Sequence, residues 1–93
     1  MKVDCATCGR ALAKSSGGIS IFASGDERIY SYFLCPACDV WTVDVLVDRF
    51  LGEQTIHTQG PLPRAEGDER VRLIALCPSP GDKMCDCETH REW

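Results

Sequence analysis

Two short stretches decide the reading of this chain: Cys5-Ala6-Thr7-Cys8 and Cys35-Pro36-Ala37-Cys38. Two Cys-x2-Cys pairs can fold as facing knuckles, and four thiolates from such knuckles close a tetrahedron around one metal ion. The other three of the seven cysteines gather near the end, as Cys77, Cys85 and Cys87, and His90 follows them. Three thiolates and an imidazole make a second recognised structural zinc set. No cysteine is left over. Two closed sites, each holding Zn²⁺, are therefore expected: Cys5, Cys8, Cys35 and Cys38 in the first, and Cys77, Cys85, Cys87 and His90 in the second.

Outward from the knuckles, the chain reads as strands. Residues 19–24 (ISIFAS) and 28–34 (RIYSYFL) are rich in β-branched and aromatic residues around a turn signal, Gly25-Asp26-Glu27. They form a hairpin whose second strand runs into Cys35. Residues 40–50 (VWTVDVLVDRF) form the strongest strand, with Trp41, Val43, Val45 and Val47 on one face by the period of two. The opposite face, with Thr42, Asp44 and Asp48, reads as mixed and partly wet. Residues 54–59 suit a further strand, and residues 11–18 a flexible connection. Gly60-Pro61-Leu62-Pro63 reads as a linker that cannot continue a sheet. Residues 65–76 fit a helix, with an acidic start and a stripe of Val71, Ile74 and Ala75 flanked by Leu73 and Leu76. A buried strand over 71–76 competes with that reading.

The fold class expected is a small metal-stabilised α+β protein. Residues 1–59 form an extended antiparallel sheet, and residues 60–93 form a helix and a second zinc-bound tail on the same core. The tail is expected to cover Trp41, Val43, Val45 and Val47, with Trp93 packing there too. Ninety-three residues bury only a thin core, so metal staples are a physical need rather than an ornament.

Knuckle, hairpin, knuckle and strand, carried by CATCG, CPAC and the strands around them, resemble the zinc ribbon family over residues 3–50. The resemblance implies a three-stranded antiparallel ribbon with Cys5, Cys8, Cys35 and Cys38 as ligands. It implies almost nothing about a partner, because zinc ribbons serve many processes. The paired knuckles are also similar to rubredoxin, which holds iron, although Asp39 stands where glycine would follow the second knuckle. The ligand types of the second set resemble those of the CDGSH iron–sulfur proteins, but the Cys-Asp-Gly-Ser-His string is absent. An iron-binding redox protein, or a zinc-held thiolate switch at Cys85 and Cys87, stays open as an alternative.

The formal charge is −4. Seven thiolates and two divalent ions would bring it to −7. An acidic chain is a poor general binder of nucleic acid. The expected partner is therefore protein, and the expected function a non-catalytic interaction or adaptor module. The alternative is a nucleic-acid-binding zinc ribbon using Arg10, Lys14, Tyr30 and Tyr32, with bases stacking on the tyrosines. Self-association through the edge of strand 40–50 is a third option. No Ser/His/Asp pattern or phosphate loop occurs, and His57 lies on a polar strand face. Asp44 and Asp48 stand about 13 Å apart at about 3.3 Å per residue, too far to share a proton. A solvated role suits both. No enzyme is expected. No apolar h-region follows the charged start and no apolar run reaches membrane length, so a cytoplasmic protein is expected, where thiols stay reduced.

Overall fold

The computed structural model describes residues 3–23, 25–49 and 52–93. Ser24 and Phe50, at the ends of two expected strands, lie outside these. The elements run β1 (Val3–Asp4), β2 (Ala11–Leu12), β3 (Gly17–Ala23), β4 (Asp26–Cys35), β5 (Val40–Arg49), β6 (Gln54–Pro63), α1 (Arg64–Leu76) and α2 (Glu88–Arg91). β1 and β2 form a two-stranded antiparallel ribbon, and β3-β4-β5-β6 form a four-stranded antiparallel sheet in that order. This is a small α+β architecture of antiparallel sheets and a C-terminal helix.

The sheet has two different faces because its side chains alternate. One face carries Ile19 and Ile21, then Tyr32, then Trp41, Val43, Val45 and Val47. These pack with Ile74 of α1, and Val71 and Trp93 complete the cluster. The cover expected of the tail comes mainly from α1 instead, with Trp93 of the tail packing there as expected. On the opposite face, Phe33 and Cys35 meet Val3, Cys5 and Leu12 of the ribbon.

Three sequence expectations change. Residues 11–12 are strand, and Gly17-Gly18 already belongs to β3, so the flexible connection shrinks to residues 13–16. Gly60-Pro61-Leu62-Pro63 continues β6, with Leu62 opposite Trp41 and Pro63 opposite Val40. Prolines are tolerated there because β6 is at the edge of the sheet and owes no N–H to a further strand. The pairing shifts register between Trp41 and Val43. Gly60 fits this point at φ +135°, where a Cβ would lie 3.1 Å from the Trp41 carbonyl oxygen. Third, Thr42 and Asp44 are buried rather than wet. Thr42 accepts the Ala6 N–H on its Oγ1 at 3.0 Å and so ties the first knuckle to β5. Asp44 stands between Ser31 and Thr58 on the neighbouring strands, which screen it from solvent.

Helix α1 confirms the helical reading of 65–76, but Ala75 and Leu76 are exposed, and the buried positions are Gly67 and Ile74. Gly67 lies beneath the indole of Trp41, whose Nε1–H donates to the Arg64 carbonyl at 3.2 Å and to Asp68 Oδ1 at 3.0 Å. Arg64 completes the network, donating to Asp68 and to Asp39 just after the second knuckle. Its guanidinium, followed by the Trp41 N–H, holds the Asp68 carboxyl below its ordinary range. A depressed folded-state pKa stabilises above the unfolded value and is lost as pH falls through the folded one. Asp68→Asn should therefore lower stability slightly near pH 7, with the difference shrinking from about pH 4, where the unfolded carboxyl protonates, and vanishing once pH falls below the lowered folded-state value. Urea denaturation at both pH values checks this.

Candidate metal centres

The first knuckle leaves β1 at Asp4 and returns into β2, and the second joins β4 to β5. Both close the same way. Gly9 N–H donates to the Cys5 carbonyl at 3.0 Å, and Asp39 N–H donates to the Cys35 carbonyl at 2.8 Å. Each closing residue has positive φ, +77° at Gly9 and +57° at Asp39. Asp tolerates this left-handed region better than most residues, and its side chain is fixed by the ion pair with Arg64. In the first knuckle the Thr7 N–H lies 3.4 Å from Cys5 Sγ.

These turns bring Cys5, Cys8, Cys35 and Cys38 together, and the four sulfurs all lie within 4.8 Å of one another. Cys8 and Cys35 are 3.8 Å apart at sulfur. Tetrahedral bonds of about 2.3 Å put sulfurs about 3.8 Å apart, whereas a disulfide needs about 2.05 Å. All seven cysteines are free thiols. The donor set fits one tetrahedral ion.

The second cluster assembles from the end of α1, the loop after it and α2. Cys77 caps α1, Cys85 and Cys87 come from the loop, and His90 lies on α2. Their donor atoms also lie within 4.8 Å of one another. Cys77 Sγ is 3.8 Å from Cys85 Sγ and 3.4 Å from Cys87 Sγ, and His90 Nδ1 is 3.3 Å from both Cys77 and Cys87. Nδ1 is thus the ring atom turned to the sulfurs. The other nitrogen, Nε2, sits 3.1 Å from the Ser20 carbonyl oxygen. A proton on Nε2 donating to that carbonyl leaves Nδ1 as a lone-pair donor, the usual way a metal-ligating imidazole is oriented. Thr89 anchors α2 to α1 by donating its hydroxyl to the Leu73 carbonyl at 2.9 Å.

The thiols in each cluster differ. Backbone N–H groups of Cys8 and Thr7 hold Cys5 down to about 6, while Cys38 is pushed up to about 12, first by its hydrogen bond with Cys8 and then by burial. The backbone N–H and ring of His90 hold Cys87 down to about 6, and burial pushes Cys77 up to about 11. One thiol in each set ionises readily and another resists, Cys38 chiefly through its hydrogen bond with Cys8 and Cys77 chiefly through burial. A divalent cation removes that resistance and ionises the coordinating thiols outright.

Of the residues singled out for nucleic acid, Tyr30 and Tyr32 share one face of the sheet and line one cleft. Tyr32 is only 4% exposed and packs edge-on against Trp41, with ring centroids 6.4 Å apart. Tyr30 is half-buried on the same face, in a cleft of about 800 Å³ that Trp93 and Leu73 also line. Arg10 and Lys14 are exposed residues flanking β2, whose Leu12 packs on the other face of the sheet. The packing role therefore overrides stacking for Tyr32. His57 is exposed, with Gln59 3.4 Å from its ring. The edge of strand 40–50, one option for self-association, is not free among the described residues, since β5 is bonded to β4 on one side and β6 on the other. Gly67 escaped the sequence reading. Its signal was a glycine inside a helical stretch, a costly choice unless something packs against it.

No family model, curated protein or solved structure matches the chain. Fold and sites define a small α+β protein with two clusters able to hold metal, one of four cysteines and one of three cysteines and a histidine. No described helix is long and apolar enough to cross a membrane.

Proposed function

We propose that both clusters hold structural Zn²⁺ and that the chain is a non-catalytic interaction module. The tight closure of each donor set carries the metal reading. Four protein donors around each ion leave no open coordination position for substrate or water, which a catalytic zinc requires. A two-iron cluster would spread its ligands over two metals, whereas the second donor set converges on one point. Tetrahedral four-sulfur coordination suits both zinc and iron, and Asp39, standing where a glycine would follow a rubredoxin-like second knuckle, favours zinc in the first site.

The protein-partner reading is supported by the sheet face away from α1. Ile29, Leu46 and Ile56 stand in register across β4, β5 and β6. Ile29 and Leu46 are half-buried, and Ile56 is 65% exposed. Such an apolar row on an acidic protein suits a protein surface better than a phosphate backbone. The cleft beside Tyr30 points the same way, since Glu66, Glu69 and Glu92 outnumber Arg70 along it. A photo-crosslinker placed at Ile56 is expected to capture protein, and Leu46→Asp to abolish that capture. Capture of nucleic acid at low salt, unaffected by Leu46→Asp, would replace this reading with the nucleic-acid one.

A further inference from the structure

The second cluster does more than close a tail. Its loop and its histidine lie along the outer edge of β3, the strand opposite β6 in the sheet. The Ser20 N–H donates to the Pro80 carbonyl at 2.8 Å, and the Ser20 carbonyl meets His90 Nε2 at 3.1 Å. Both outward backbone groups at the middle of β3 are therefore satisfied by the tail. Lys83 adds a charge beside the same edge, 3.7 Å from Glu27 and 5.6 Å from the centre of the Phe22 ring. Masking an edge strand with a loop and a lysine is how sheets avoid pairing with further strands.

We propose that this edge is a self-pairing surface for a second copy of the chain, kept closed by the metal-held tail; the inference rests on the metal reading of the second cluster. The occupant follows from the strand itself. β3 spans Gly17–Ala23, and Ser20 is its central residue. By alternation, Gly18, Ser20 and Phe22 turn their backbone groups outward together. An antiparallel copy with its two-fold axis at Ser20 sets Ser20 against Ser20 and each Gly18 against a Phe22. Each of those pairs exchanges two backbone hydrogen bonds. The side chains also match. Phe22 is a large apolar side chain left 45% exposed, and across the axis it meets a glycine, a pairing in which the ring covers the bare backbone. On the other face Ile19 meets Ile21. Loss of the metal frees Cys85, Cys87 and His90 from their common point, and the loop and imidazole leave Ser20.

The test uses the full chain with Cys85→Ser and Cys87→Ser, the first cluster intact. Metal analysis of the parent protein comes first, and two ions are expected there against one in the variant. One ion in the parent would refute the metal reading of the second cluster, and the proposal with it. Given two, the variant is expected to exchange the Ser20 amide at least about tenfold faster in monomer. It is also expected to form a dimer by sedimentation equilibrium, abolished separately by Ser20→Pro and by Phe22→Lys. A variant that stays monomeric overturns the proposal. So does an oligomer that survives both edge substitutions, which would mark general unfolding rather than β3 pairing.

Discussion

Cys35→Ser is expected to unfold the protein rather than weaken it. Cys35 is fully buried, and the buried part of the small cluster around it is two candidate ligands, Cys5 and Cys35, with Val3, Leu12 and Phe33, while Cys38 and Val40 pack against it partly exposed. Three apolar side chains cannot hold a two-residue strand pair against the backbone entropy of ordering it, which is about 1–2 kcal/mol per residue. The metal supplies what the apolar surface does not. Structural zinc contributes roughly 10–16 kcal/mol of apparent binding energy, as much as or more than the roughly 5–15 kcal/mol total stability of a small domain. A serine hydroxyl stays protonated and is a poor substitute for thiolate. Far-ultraviolet circular dichroism and amide NMR dispersion should both collapse in the variant, as they should when the parent protein meets a strong chelator. A cooperative thermal transition within a few degrees of the parent would show that the sheet stands without the first ion.

Gly67→Ala should destabilise strongly at a helix position where the same change ordinarily helps. In an exposed helix interior, alanine is favoured over glycine by about 1 kcal/mol. Here a Cβ would come 2.0 Å from Trp41 Cδ1 and 2.2 Å from Cγ. The indole cannot yield cheaply, since Trp41 is 4% exposed, donates to Arg64 and Asp68, and packs edge-on against Tyr32. Forcing atoms into such a core costs about 1–3 kcal/mol or more, which exceeds the propensity gain. A net loss of up to about 2 kcal/mol in urea denaturation is expected. A stabilised variant would mean that α1 does not sit on Trp41.

The same contact shows what the sequence makes readable. Cysteine spacing is a local covalent pattern, so both clusters were visible before any fold. Alternation in 40–49 and the turn glycine at 25 are equally local, and β3 and β4 pair across that turn as the signal implies. Gly67 is different, because its reason is a tryptophan from a distant strand. Thr42 and Asp44 read as wet for the same cause: the ribbon and neighbouring strands that cover them are remote in sequence. Tyr32 could serve a surface or a core, and only the path of α1 decides. Prolines 61 and 63 signal a break in an inner strand and are harmless at an edge. The edge position follows from strand order, which no spacing encodes.

Metal occupancy of the two clusters decides both the fold and the function. Native mass spectrometry of protein produced in medium containing both zinc and iron, with an absorption spectrum alongside, tests it most directly. Two zinc ions per chain and no visible absorption are predicted, with Cys35→Ser losing both as the chain unfolds and Cys87→Ser losing only the second. Iron with visible charge-transfer bands, or a folded chain carrying no metal, would contradict the account.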